Sequence, residues 1–293
     1  MRWSRGDRSN IEDQRGSSGA GLRRGVPIGI GGLLLILILS WLTGTDILSL
    51  LDGGGGAGGG VPPSAQVGGG AEVATSPREE ERVDFVDAVM ADVQDTWRRA
   101  LGSRYQATRV VLFRDAVRSA CGIAGSASGP FYCPEDHRVY LDLGFFEELH
   151  RRFAAEGDFA EAYVIAHEMG HHVQNLLGID SRVRAAQESN PSQANELSVR
   201  LELQADCLAG VWGYAASQQG RAKQGRVELD PGDAEDGLRA AAAIGDDRIQ
   251  RMSTGRVFPE KFTHGSSEQR QTWFNRGLTT GRAQACNAFG GEF

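Results

Sequence analysis

The chain has 293 residues and a formal net charge of −7, with 31 Lys and Arg against 38 Asp and Glu. That balance sets nucleic-acid binding aside, because a phosphate partner needs a concentrated basic face. Forty glycines are more than a compact domain uses, and their clustering between Gly53 and Gly70 assigns much of the excess to a linker.

The one basic concentration is N-terminal, where Arg2, Arg5, Arg8, Arg15, Arg23 and Arg24 stand against Asp7, Glu12 and Asp13. Next comes "VPIGIGGLLLILILSWLT", residues 26–43, with no charge and with Trp41 near one end. Its length suits a bilayer crossing. The positive-inside rule then predicts a cytoplasmic basic tail over residues 1–25, a single-pass transmembrane anchor over 26–43, and everything later outside the cytoplasm. A cleaved signal peptide is the competing reading, but no small-x-small site follows the apolar run. Residues 44–77 are rich in Gly and Pro and read as a flexible tether. Residues 78–293 carry no second linker and read as one extracytoplasmic domain.

Within that domain, Val83, Val86, Val89, Met90, Val93 and Trp97 recur at helical spacing over about 80–101. Two strand candidates follow, "TRVVLF" at 108–113 and "HRVYLDL" at 137–143, separated by a Gly/Ser loop bounded by Cys121 and Cys133. Asp158 with Glu161 has the form of a capping box and Gly178 that of a stop, which predicts a helix over about 159–177. Further helices are predicted over about 192–219, from Asp230-Pro231 through "DGLRAAAAIGDDRIQRM", and after Ser266-Ser267. The fold class is helix-rich α+β with a small sheet.

The predicted helix over 159–177 contains "AHEMGHHVQ". Residues four apart on a helix share a face, so His167 and His171 can reach one ion. Glu168 is turned about 100° from His167, which leaves it beside the ion, where it can hold a water and act as general base. A hydrolytic zinc site takes three protein ligands and keeps one position open. Leu177 and Gln174 stand where the metzincin pattern needs His and Gly, which excludes that subclass. "LELQADCLAG" supplies the alternative: Glu202 as third ligand, and Asp206 one turn on, able to accept the free ring N–H of a ligating histidine. His172 is rotated away from this face and is read as a packing residue, as are His137 and His150.

"AHEMGHHVQ", "ELQADCLAGVW", "GPFYCP" and "FTHGSSEQRQTWF" together resemble the bacterial neutral zinc metallopeptidases, membrane-anchored proteins with a glycine-rich tether. The order of the motifs is also similar to that of the HtpX-like and CaaX-prenyl-protease gluzincins. The resemblance implies a zincin-like (gluzincin) domain, a Zn2+ cofactor and a peptide or protein substrate. It implies further that His264 and Arg270 approach the metal from a late helix, with Arg270 as donor to the oxyanion. Here Gly265 follows His264 where those relatives carry Pro. Tyr140 is the other candidate donor.

Four cysteines in an extracytoplasmic domain point to two disulfides. Cys121 and Cys133 bracket a short loop, which leaves Cys207 for Cys286. Cys207 points away from the Glu202 face and is not expected to ligate metal. The residues thus point to a zinc-dependent endopeptidase. A zinc-containing peptide-binding module with little or no catalysis, and an amide hydrolase acting on a non-peptide, are the alternatives.

Overall fold

A computed structural model describes residues 1–16, 75–153 and 157–290. The predicted anchor, residues 26–43, and nearly all of the predicted tether lie outside the described residues. Among the described residues no helix is long and apolar enough to cross a membrane.

Helix α1 (Pro77–Leu101) starts at Ser76, whose hydroxyl accepts the Glu79 N–H at 3.2 Å, with Pro77 in the first turn. Glu79 and Glu80 at its start and Arg98 and Arg99 at its end complement the helix dipole. Its apolar stripe lies against a four-stranded sheet of order β1-β2-β6-β5, formed by β1 (Ile11–Asp13), β2 (Arg109–Phe113), β5 (Phe131–Cys133) and β6 (Arg138–Asp142). The β1–β2 and β2–β6 pairs are parallel and β6–β5 is antiparallel. Val110, Leu112, Val139 and Leu141 face the main core, whereas Val111, Phe113 and Tyr140 turn to the other side. A hairpin of β3 (Ala116–Ser119) and β4 (Gly122–Gly125) contributes Val117 to that second cluster. Burial on both faces is why "RVVLF" is a continuous apolar run.

Seven further α-helices follow among the described residues, the first six being α2 (Gly144–Phe153), α3 (Asp158–Leu176), α4 (Ile179–Ser189), α5 (Ala194–Ala216), α6 (Asp233–Ala243) and α7 (Asp246–Thr254). The last element of the bundle, α8 (Ser267–Thr280), begins with the capping box of Ser266 and Gln269. The predicted capping box at Asp158 does not form. Gly157 precedes the helix and gives no side-chain cap, while Glu161 is buried against Arg82 and His150. Pro231 does not open α6, which starts two residues later at Asp233. The predicted helix through "IGDD" is two helices, because Gly245 is a poor helix former and Asp246 is recruited to another loop. Helix α4 falls where no helix was expected.

The largest departure from the sequence reading is at the N-terminus. Residues 1–15 are built into the same body as the helices: β1 is a sheet strand, and Arg2 bridges to Glu228 in antiparallel fashion. The segment is therefore not a tail apart from the domain, because the edge of β2 and the acidic face of α1 are partnered by it.

Candidate metal centre

Helices α3 and α5 cross at Gly170, where a Cβ would stand 2.9 Å from the Ala205 carbonyl oxygen and 3.0 Å from its Cα. Only glycine permits that approach, and it brings the faces of His167, His171, Glu202 and Asp206 together. Nε2 of His167 lies 3.1 Å and Nε2 of His171 3.5 Å from the Glu202 carboxylate oxygens. All three ligand atoms fall within 4.8 Å of one another. Donors on a tetrahedral zinc at ~2.0–2.2 Å sit roughly 3.3 Å apart, so two imidazoles and one carboxylate at these separations fit that ion.

The opposite nitrogen of each ring is held. His167 Nδ1 donates to Asp206 Oδ1 at 2.8 Å, and His171 Nδ1 donates to Gln174 Oε1 at 2.8 Å. Gln174 in turn donates to the Leu201 carbonyl at 2.7 Å and to Gln204 Oε1 at 3.1 Å, and Gln204 donates to the Cys286 carbonyl at 3.0 Å. Fixing both Nδ1 atoms leaves both Nε2 lone pairs for a cation. Burial disfavours the charged ring of His167, but Asp206 and then Glu202 outweigh it and raise its pKa. Proton and metal therefore compete for the same nitrogen.

Asp206 is completely buried. It accepts from Arg270 through Nε at 2.9 Å and Nη2 at 2.9 Å, and from the Tyr163 hydroxyl at 2.5 Å. Burial alone would raise its pKa, yet Arg270 and then His167 carry it below the ordinary carboxylate value. Arg270, expected as the oxyanion donor, lines the cavity, but its shortest hydrogen bonds go to Asp206. Its guanidinium is 3.4 Å from His167 Nδ1, on the side of the ring away from the ligand nitrogen, and is committed to Asp206. Arg270 holds the group that holds the ligand. Helices α5 and α8 reach this proximity through Gly210 and Gly277, where an added Cβ at either would overlap the backbone of the other helix.

His264 does reach the site's cavity. Its Nδ1 lies 3.2 Å from Asp246 Oδ1 and 3.1 Å from Thr263 Oγ1. The other oxygen of Asp246 accepts the backbone N–H groups of Thr263, His264 and Gly265 at 2.7, 2.7 and 3.2 Å. Burial opposes charge on His264, but the bond to Asp246 and the nearby Glu202 raise its pKa. Glu168 is buried, lines the same cavity, and receives no hydrogen bond from a described residue. The cavity encloses about 790 Å³ and runs from the metal ligands past Phe131 and Tyr132 on β5 to Phe145, Val183 and Ile244.

Tyr140 is not part of the site. Its hydroxyl donates to Asp136 at 2.7 Å and its ring stacks on Phe131. His172 is fully buried between the Tyr132 hydroxyl at 3.0 Å and the Gln106 carbonyl at 2.7 Å, the packing role expected of it. Cys207 is bonded to Cys286 and Cys121 to Cys133, as expected. Gln174, Tyr163 and Asp246 were missed by the sequence reading. The first lies one turn from His171 on the ligand face, a readable signal; the approach of Asp246 depends on chain folding alone.

The buried helix bearing two histidines and a glutamate, with a carboxylate from a crossing helix, has the donor set that a zinc-peptidase type of centre uses. The chain belongs to the family described as "Putative neutral zinc metallopeptidase", whose model matches residues 1–289. It is similar to "Uncharacterized protein YpfJ" of Escherichia coli K12, 44% identical over 301 aligned residues that cover 99% of each chain. It is also similar to "Uncharacterized protein Rv2575" of Mycobacterium tuberculosis H37Rv, 48% identical over 201 residues, 67% of each chain. No solved structure matches.

Proposed function

We propose that this protein is a zinc-dependent metallopeptidase that hydrolyses peptide bonds outside the cytoplasm, attached to the membrane through residues 26–43. The observation that carries the reading is the juxtaposition, in one cavity, of three converging ligand atoms with a buried Glu168 that receives no hydrogen bond from a described residue. A module that only held zinc would need the ligands; the free carboxylate beside them is what hydrolysis requires.

His167, His171 and Glu202 would hold the cation, which supplies Lewis-acid activation of water and of the scissile carbonyl. Glu168 takes the proton from the attacking water and returns it to the leaving amine. His264, steered by Asp246, which favours its protonated form, donates through Nε2 to the oxygen that gains charge. Arg270 and Asp206 keep the His167 ring in place.

Strand β5 is an edge of the sheet and its Phe131 and Tyr132 line the cavity. An extended peptide can add to that edge by main-chain hydrogen bonds. Phe145, Val183, Leu201, Ile244 and Ile249 offer it apolar surroundings, which favours substrates with bulky apolar side chains. The two disulfides support an oxidising compartment for the domain.

The test uses the full chain and its Glu168→Gln variant, measuring bound zinc and cleavage of unfolded casein. Equal zinc in both with cleavage by the wild type alone is expected. Zinc in both with cleavage by neither would leave the peptide-binding module as the reading. A wild type that binds no zinc would remove both.

A further inference from the structure

The arginines at the start of the chain, which by the positive-inside rule place the N-terminus in the cytoplasm, have partners in the catalytic domain. Arg2 donates to Glu228 and Asp230, each at 2.8 Å. Arg5 lies 3.2 Å from Asp84, and Arg8 binds Asp84 and Glu80, each at 2.6 Å. Arg15 is buried and reaches Glu79 at 2.8 Å and Glu80 at 2.9 Å. Their charge answers the acidic face of α1 and the loop before α6.

Ion pairs on a surface are weak evidence of docking, but they are not alone here. Ile11, Glu12 and Asp13 stand in parallel register with Val110, Val111 and Leu112. The ladder is extended by Val110 N–H to the Asn10 carbonyl and Gln14 N–H to the Leu112 carbonyl, both at 2.8 Å. Asp87 on α1 accepts the backbone N–H groups of Arg8 and Asn10 and the Asn10 side chain, and Gln94 donates to Asn10 at 2.7 Å. Trp3 meets Phe85 edge to face at 5.6 Å. Asp84 and Asp87 are nearly buried on a helix, and such carboxylates need partners.

We infer that residues 1–15 and the domain from Pro77 onward lie on the same side of any membrane the protein meets. A polypeptide with both flanks in one body crosses a bilayer an even number of times. The sequence between Arg15 and Ser76 holds one apolar run of spanning length. Arg15 pairs with Glu79, three residues after the N-cap of α1, so the chain leaves the body and re-enters it at neighbouring points.

The inference does not rest on catalysis. It is tested in the full chain, in spheroplasts, by a membrane-impermeant maleimide on two variants with one added cysteine each, Ser4→Cys and Ser189→Cys. Both sites are exposed, and the native cysteines are in disulfides. Asp7→Cys and Glu188→Cys, also exposed, serve if either of the first pair fails to accumulate. Equal labelling of the two positions before lysis, with no gain on adding detergent, is expected. Equal labelling of both only after lysis also supports a shared side, but overturns the extracytoplasmic placement. Labelling of one position before lysis and of the other only after it overturns the inference.

Discussion

The imidazole of His167 and the carboxylate of Asp206, 39 residues apart in the chain, meet at 2.8 Å, and Arg270 grips the same carboxylate from α8. Three helices are thereby locked behind one metal ligand.

Asp206→Asn keeps the shape but removes the charge that orients His167 and neutralises Arg270. Zinc affinity, measured by competition with a chelating dye, falls about 10–100-fold. Stability falls by about 3–5 kcal/mol, because a buried guanidinium loses its counter-ion. Adding Arg270→Met restores much of the stability and none of the affinity. Recovery of both together would contradict the orienting role.

Asp246→Asn leaves the three zinc ligands untouched and removes what holds His264 charged. Bound zinc is unchanged while kcat drops on the order of 100-fold, the cost of losing one oxyanion donor. The sign for pH follows from the raised pKa of His264: the donor form persists above the ordinary histidine range and is lost as pH rises through the elevated value. In the variant the alkaline limb of kcat/KM moves to lower pH. A limb in the same place would assign it to another group.

His172 is pushed from the ordinary 6.5 down to about 4, chiefly by burial. Between those values the unfolded chain binds a proton that the native ring refuses. Its contribution is complete above pH 6.5 and is lost as pH falls toward 4, amounting to about 3 kcal/mol. Urea unfolding at about pH 7 and about pH 4.5 therefore shows a smaller acid loss in His172→Gln than in the wild type, even though the variant is less stable near neutrality.

The Cys207–Cys286 bond closes a loop with a sequence separation of 79. Removing it as Cys207→Ala with Cys286→Ala costs about 4 kcal/mol if loop entropy governs. Gln204 donates to the Cys286 carbonyl and also touches Gln174, which holds His171. Zinc affinity drops as well, and a denaturation midpoint insensitive to reductant in the wild type would argue against the linkage.

The metal centre was legible early because helix periodicity is a local property. Four-residue spacing puts His167 and His171 on one face wherever that helix packs, and the same holds for Glu202 and Asp206. The helix-rich class and the core stripe of α1 were readable for the same reason. Which face meets which is not local. That Arg270 bonds Asp206 beside His167 was not legible, since its position depends on the Gly210–Gly277 crossing of α5 and α8. Asp246 looked like one more helical acid until the break at Gly245 turned it onto the 263–265 loop. The N-terminal arginines read as a topology signal because hydropathy counts charges without seeing partners. Sequence alone picked out His167, His171 and Glu202, whose ligand atoms the fold brings together, and Glu168 beside them, through spacing along single helices. The tertiary structure decided the orienting pairs and the place of residues 1–15, because those depend on approaches between segments far apart in the chain.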